Sequence, residues 1–439
     1  MGQWAGLARQ RRLGAARLTQ GKARAPSNPW IVLGMLLLVS IVNFADRYLV
    51  TGLIGPIKGE FGLGDGMIGL LMGPAFVVLY VVLGVPLARL ADRWSRTLII
   101  AGGCVLWSGA TIATGMAHNE VSLIIARAAV GVGEAAFAAP AYSLLADYFK
   151  PQRRGLAFAI LGLATYFGQI IGQAGGPALA AVEDWRFAFY TLGAIGIGLG
   201  LLTALIVRDP PRNLGRAAAA PAIAMTTLVR LLSRNASFVL MMFGFALGAL
   251  SGVAFGYWGP ELFTRNYGLD PVAAKTAFAL NFGLAGLVGM LCFGAISDRL
   301  SKRGMAWPVR LSAIALAAAT CAILAATWAD TFALAKLFAI PAGLLGGGWS
   351  VGIYSTLQYV LPTRFRATAT ALFLAVTTLL AYFIGPWAAG LLSQAFGNNS
   401  GSLRLALTVI IPIGFAAAAL AGLASRRIEQ DRVLLEEAP

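Results

Sequence analysis

Apolar residues run through this chain in long blocks, without the strict alternation of strands or the narrow stripes of water-soluble helices. The blocks fall at roughly 30–55, 66–90, 97–117, 120–147, 154–181, 186–207, 236–263, 272–297, 307–328, 332–360, 366–394 and 403–424. A helix that crosses a bilayer needs about 20 consecutive apolar residues, and each block is long enough. The longest polar gap, 208–235, contains Asp209-Pro210-Pro211 and an Ala/Pro stretch, and it parts six blocks from six. The pattern predicts an all-α membrane protein with a tail over 1–28, six-helix bundles over 29–207 and 236–425 joined by a linker at 208–235, and a second tail over 426–439.

Composition agrees. The chain is 58% hydrophobic and only 12% charged, against about 25% charged in ordinary soluble domains. Its net charge of +16 would suggest nucleic acid in a soluble protein. Here no basic patch is interleaved with exposed aromatics, so no nucleic-acid partner is expected. Most Lys and Arg instead lie in alternate gaps between blocks or at the block ends beside them: Arg89, Arg93 and Arg96; Lys150, Arg153 and Arg154; Arg208 to Arg234; Arg299 to Arg310; Arg364 and Arg366; and both tails. Only Lys58, Arg186, Arg265, Lys275, Lys336 and Arg404 fall in the other gaps or at the block ends beside them. Basic residues stay on the cytoplasmic side, so both termini are expected inside. Residues 1–28 lack the apolar core of a signal peptide and read as a basic cytoplasmic tail.

Two blocks carry charge where it is expensive. Asn43-Phe44-Ala45-Asp46-Arg47-Tyr48 lies near mid-block in the first segment, where an ionised side chain costs roughly 3 kcal/mol. In the fourth, Arg127, Gly131, Glu134 and Ala138 recur at helical spacing and share one face. Burial opposes carboxylate ionisation while a nearby guanidinium favours it. Asp46 and Glu134 are therefore candidate proton-coupling acids, or members of static pairs with Arg127 and Arg47. Arg47 offers a planar fork suited to an anionic head group, with Arg127 as second candidate, unless each only neutralises a carboxylate. Asn43, Phe137 and Tyr354 are the other expected substrate contacts. The second half has little charge at mid-depth; it offers Asn281, Ser355, Thr377 and aromatics such as Tyr257 and Tyr382, with Glu261 at an outer edge. That asymmetry suits an amphiphile. Gly346-Gly347-Gly348-Trp349 reads as close helix packing, since glycine inside an apolar span serves that end.

Cys104, Cys292 and Cys321 lie within apolar blocks and His118 is alone, leaving no metal-ligand spacing. No nucleophile–base–orienter set is present, so neither an enzyme nor a cofactor is expected.

The chain also repeats itself. Ala88-Arg89-Leu90-Ala91-Asp92-Arg93-Trp94-Ser95-Arg96 follows the second block, and Gly294-Ala295-Ile296-Ser297-Asp298-Arg299-Leu300-Ser301-Lys302 follows the eighth. Pro151-Gln152-Arg153-Arg154 and Pro362-Thr363-Arg364 echo each other at nearly the same offset. Such repeats imply halves related by an axis along the membrane normal. In these features the chain resembles the major facilitator superfamily, although Ala88, Ser95 and Ser301 stand where its loop motif has glycine. The helix-1 Asn43–Tyr48 motif and the helix-4 Arg127-x-x-x-Gly131-Val132-Gly133-Glu134-Ala135 run are similar to the spinster family of lysolipid and sphingosine 1-phosphate transporters. The resemblance implies alternating access with Asp92, Arg93, Arg96, Asp298 and Arg299 as a cytoplasmic gate. It also implies protons and a lysolipid-like amphiphilic anion as partners, membrane lipids around a monomer, and no resident cofactor. A small organic-anion/proton symporter or a drug/proton antiporter is the alternative.

Overall fold

The computed structural model describes residues 27–210, 225–362 and 366–436. The basic residues expected to anchor the first tail, residues 211–224 of the linker and Arg364 lie outside the described residues. Among those described, twelve helices are long and apolar enough to span a membrane. They are α1 (Pro29–Gly52), α2 (Asp65–Ala91), α3 (Arg96–Gly115), α4 (Glu120–Tyr148), α5 (Gln152–Ala180) and α6 (Trp185–Ile206), then α7 (Ala236–Tyr267), α8 (Pro271–Ser301), α9 (Ala306–Thr327), α10 (Phe332–Val360), α11 (Thr368–Ala395) and α12 (Gly401–Ala424). They form the two expected six-helix bundles, with both described chain ends on one face. That face is called terminal here and the opposite one distal.

Short polar residues start many of these helices. Asn28 caps α1 through the Trp30 amide, Asp184 caps α6, Asn235 caps α7, Asp270 caps α8 and Thr331 caps α10. Each side-chain oxygen satisfies a first-turn N–H that the helix itself leaves without a partner. At the distal end α7 stops at Gly268, whose φ of 58° lies in the left-handed region where glycine has no steric penalty.

Four of the helices at the seam between the bundles are interrupted. α5, α8 and α11 contain π-helical turns at Ile171–Gly175, Ala279–Leu284 and Leu379–Ile384. α2 breaks at Gly73, ahead of Pro74. Such turns are rare in uninterrupted helices and concentrate at functional sites.

Packing differs along the membrane normal. In the distal half one apolar cluster unites the bundles, running from Tyr48, Leu49 and Leu71 to Phe255, Trp258 and Phe278. Nearer the terminal face each bundle has its own core, around Phe76 and Trp107 in one and Phe238 and Trp349 in the other. α2 displays the change within a single helix. Its distal residues Ile68, Gly69, Leu71 and Met72 are buried, and nothing from Val78 to Leu90 is.

Candidate functional site

The charged site forms because glycine lets α4 approach its neighbours. A Cβ on Gly131 would come within 2.3 Å of the Phe76 carbonyl oxygen in α2, and one on Gly133 within 2.5 Å of the Trp107 nitrogen in α3. A side chain at either position would push α4 outward. Glu134 follows directly, on the last turn before the helix breaks at Ala135–Phe137. Pro140, which lacks an N–H and crowds the preceding turn, lies just beyond that break. The continuous face expected from Arg127 to Ala138 is thus interrupted after Glu134. α1 reaches the site along α5, where Gly168 and Gly172 lie against the α1 backbone at Ala45.

Two ion pairs cross from α1 to α4. Arg47 reaches Glu134 Oε2 through Nε and Nη2, each at 2.6 Å. Asp46 Oδ2 accepts from Arg127 Nη1 at 2.7 Å, and its Oδ1 accepts from the Thr111 hydroxyl at 2.6 Å. All four charged side chains are buried. The Arg47 guanidinium also lies over the rings of Phe76, Tyr80 and Phe44 at 4.6, 4.8 and 5.2 Å, an arrangement favourable for this delocalised cation. Glu134 Oε1, Arg127 Nε and Asn43 Nδ2 are buried with no protein partner.

Asn43, Arg47, Glu134 and Phe137 line a cavity of about 120 Å³. Thr165 lies between this cavity and a larger one of about 300 Å³, because it lines both. The larger cavity sits at the bundle seam beside Tyr48, Gln169, Tyr354 and Tyr382, and its second-bundle wall includes Gly252, Gly286 and Gly346. No formally charged residue lines it. Tyr354 therefore lies with the larger cavity and Phe137 with the smaller, where its ring stands edge-on to Trp107. Of the two glutamines midway along α5, Gln169 faces the larger cavity and Gln173 donates to the Gly256 carbonyl across the seam at 2.8 Å.

Other polar positions fall differently from expectation. Arg96 does not belong to an exposed loop cluster. It is buried and pairs with Asp147 at 2.5 Å and Asp209 at 2.9 Å, because Ser95 caps α3 and turns the next residue inward. Arg93, Asp298 and Arg299 are exposed on the terminal face, and the side chain of Asp92 lies outside the described residues. Arg265 and Lys275, expected in solvent-facing loops, belong to α7 and α8 and pair with Glu261 at 2.8 and 3.5 Å. Glu261 itself is buried near the distal end of α7. Asp65, fully buried between Lys58 and Arg265, carried no sequence signal beyond its position at the edge of an apolar block.

A family model described as Major Facilitator Superfamily matches residues 36–386. An MFS-type efflux pump of Mycolicibacterium smegmatis is 30% identical over 424 residues, which cover 94% of this chain and 96% of that protein. Protein spinster homolog 1 of Mus musculus is 30% identical over 403 residues, covering 87% and 75%. The fold is similar to the crystal structure of a bacterial homolog to the human lysosomal transporter spinster, in an inward-facing and occupied conformation. That similarity has a TM-score of 0.82 at 24% identity and covers 92% of this chain and 98% of the other.

Proposed function

The chain belongs to the Major Facilitator Superfamily, and on that premise we propose that it is a proton-coupled secondary transporter of lysolipid-like amphiphilic anions. Its relatives place it among spinster-related transporters. The observation that carries the finer reading is the pair of buried α1–α4 ion pairs beside a cavity. Arg47 cannot hold a substrate anion while Glu134 neutralises it. Protonating Glu134 removes that competitor and frees the guanidinium to accept an anionic head group. Proton loading and anion binding thereby favour each other at one side chain. The Asp46–Arg127 pair keeps α1 and α4 in register during the exchange.

The larger cavity supports the amphiphile part of the reading. Its aromatic and glycine wall offers an apolar surface for a chain, while the charged Arg47 and Glu134 line the smaller cavity in the first bundle. On the basic-residue bias the terminal face is assigned to the cytoplasm, in a bacterial plasma membrane. The distal half, where the bundles share a core, would then be the closed outer side. The exposed Asp298 and Arg299 are the parts of a cytoplasmic gate left undocked in this arrangement.

The test is uptake into proteoliposomes with an imposed pH gradient, comparing lysophospholipids with small carboxylates. Gradient-dependent accumulation of lysolipid supports the reading, and accumulation of carboxylate alone removes the lipid assignment. A second reading, drug/proton antiport, has its own support in the nearly end-to-end similarity to a protein named as an efflux pump. Gradient-driven extrusion of hydrophobic cations, without lysolipid movement, would favour it.

A further inference from the structure

The carboxylate at the distal rim of the shared core has no part in the transport chemistry just described. Asp65 opens α2 and is fully buried. Arg265, from α7 of the opposite bundle, donates to it through both terminal nitrogens at 2.7 and 2.8 Å. Ser393 of α11 donates at 2.6 Å, and Lys58 of its own bundle donates at 2.6 Å. The Asp65 amide donates in turn to Asn398 at 3.1 Å. A buried carboxylate without a cation is strongly disfavoured, and here the arginine that grips it comes from across the seam.

Backbone packing leaves no slack around this contact. A Cβ on Gly390 of α11 would come within 2.2 Å of the Asp65 carbonyl oxygen. Deeper in the seam, Lys275 of α8 is 1% exposed and donates to the carbonyl of Gly52 at 2.9 Å. Gly52 is the last residue of α1, and helix C-terminal carbonyls carry partial negative charge without intrahelical partners. A second-bundle cation therefore also caps the helix that bears Asp46 and Arg47.

We propose that Asp65 is the pin of an inter-bundle latch that holds the distal face shut, with Arg265, Ser393 and Asn398 as its keepers and Lys275 as a second bolt on α1. This rests on the alternating-access reading. Opening the distal face must separate Asp65 from all three keepers together, since they stand on the other bundle. Removing the Asp65 charge lowers the barrier and the energy of that opening.

The experiment is double electron–electron resonance on the full-length protein without substrate. Spin labels are placed at Val182 and Asp330, exposed distal-loop positions on opposite bundles. Asp65→Asn and Arg265→Gln are each expected to raise the long-distance population about tenfold, within the usual range of conformational coupling. The double variant should add little to either single change. Ser393→Ala and Asn398→Ala leave every charge paired and give the same shift, several-fold smaller, even where the charge variants do not fold. Distance distributions unchanged in Ser393→Ala, Asn398→Ala and every folded charge variant overturn the latch. A wild type confined to one distance at every pH and with lysolipid present would instead overturn alternating access, so the two failures are told apart.

Discussion

Arg47 and Glu134, which are 87 positions apart in sequence, meet through two nitrogens of one guanidinium at 2.6 Å. Asp46, the neighbour of Arg47, is claimed by Arg127 and not by Arg47. Adjacent residues on a helix point about 100° apart, so α1 can present its acid to one part of α4 and its base to another. The two pairs are therefore separable by mutation.

Glu134→Gln keeps the shape of the site and removes its proton. Accumulation driven by a pH gradient is expected to fall at least about tenfold, the size of a typical coupling term. Exchange of substrate across equilibrated membranes should persist. Gradient-driven accumulation at the wild-type level would eliminate Glu134 as the coupling acid.

Asp46→Asn acts on stability first. It leaves Arg127 buried and uncompensated, a change that costs about 3–5 kcal/mol. Thermal unfolding in detergent should show a clear loss, and Asp46→Asn combined with Arg127→Met should recover much of it. A double variant no more stable than the single would mean that the pair contributes little.

Gly131→Ala tests whether close packing positions the site. The added methyl meets the Phe76 carbonyl at 2.3 Å, and overpacking of this kind costs about 1–3 kcal/mol. Transport should fall along with stability as Glu134 is carried away from Arg47. Gly102→Ala is the control, because nothing lies within 4 Å of a Cβ there.

Cavity filling separates the substrate path from folding. Gly252 and Gly346 line the larger cavity and have nothing within 4 Å of an added Cβ. Leucine at either position should leave the melting temperature within a few degrees of wild type and weaken uptake of long-chain substrates more than short-chain ones. Equal uptake across chain lengths would place the chain elsewhere.

Acid stability has a contributor outside the spans. Hydrogen bonds from Arg186 and Trp185 hold the Glu60 carboxyl down at about 2. An unfolded glutamate titrates near about 4.3. The folded value is the lower, so the stabilisation is complete above about 4.3 and is lost as the pH falls towards 2. Melting temperature measured against pH should decline over that window in wild type and less steeply in Glu60→Gln. Parallel curves would show that Glu60 adds nothing.

Much of the architecture was legible because lipid imposes a simple rule: backbone groups must bond within each span, so apolar length marks each helix. The twelve spans of the structure fall on the twelve apolar blocks, most ends agreeing within a few residues. The mid-block charges at Asp46, Arg47, Arg127 and Glu134 stood out for the same reason. The pairings of Asp46 with Arg127 and of Glu134 with Arg47 were open as the alternative to proton coupling, and the structure forms both. The distal cluster was harder still. Asp65, Arg265 and Lys275 lie at block edges, where a charge is ordinarily solvated, and the contacts that bury Asp65 and Lys275 include residues of the opposite bundle.

By itself the sequence determined the number of spans, the two halves and the four charges that a bilayer would not tolerate unpaired, because hydrophobic length and charge depth are local properties of a chain in lipid. Tertiary structure alone decided the partition of polar lining between two cavities and the sealing of the distal half around Asp65. Those depend on how closely backbones approach, which is set by glycines such as Gly131 and Gly390 meeting residues far away in the chain.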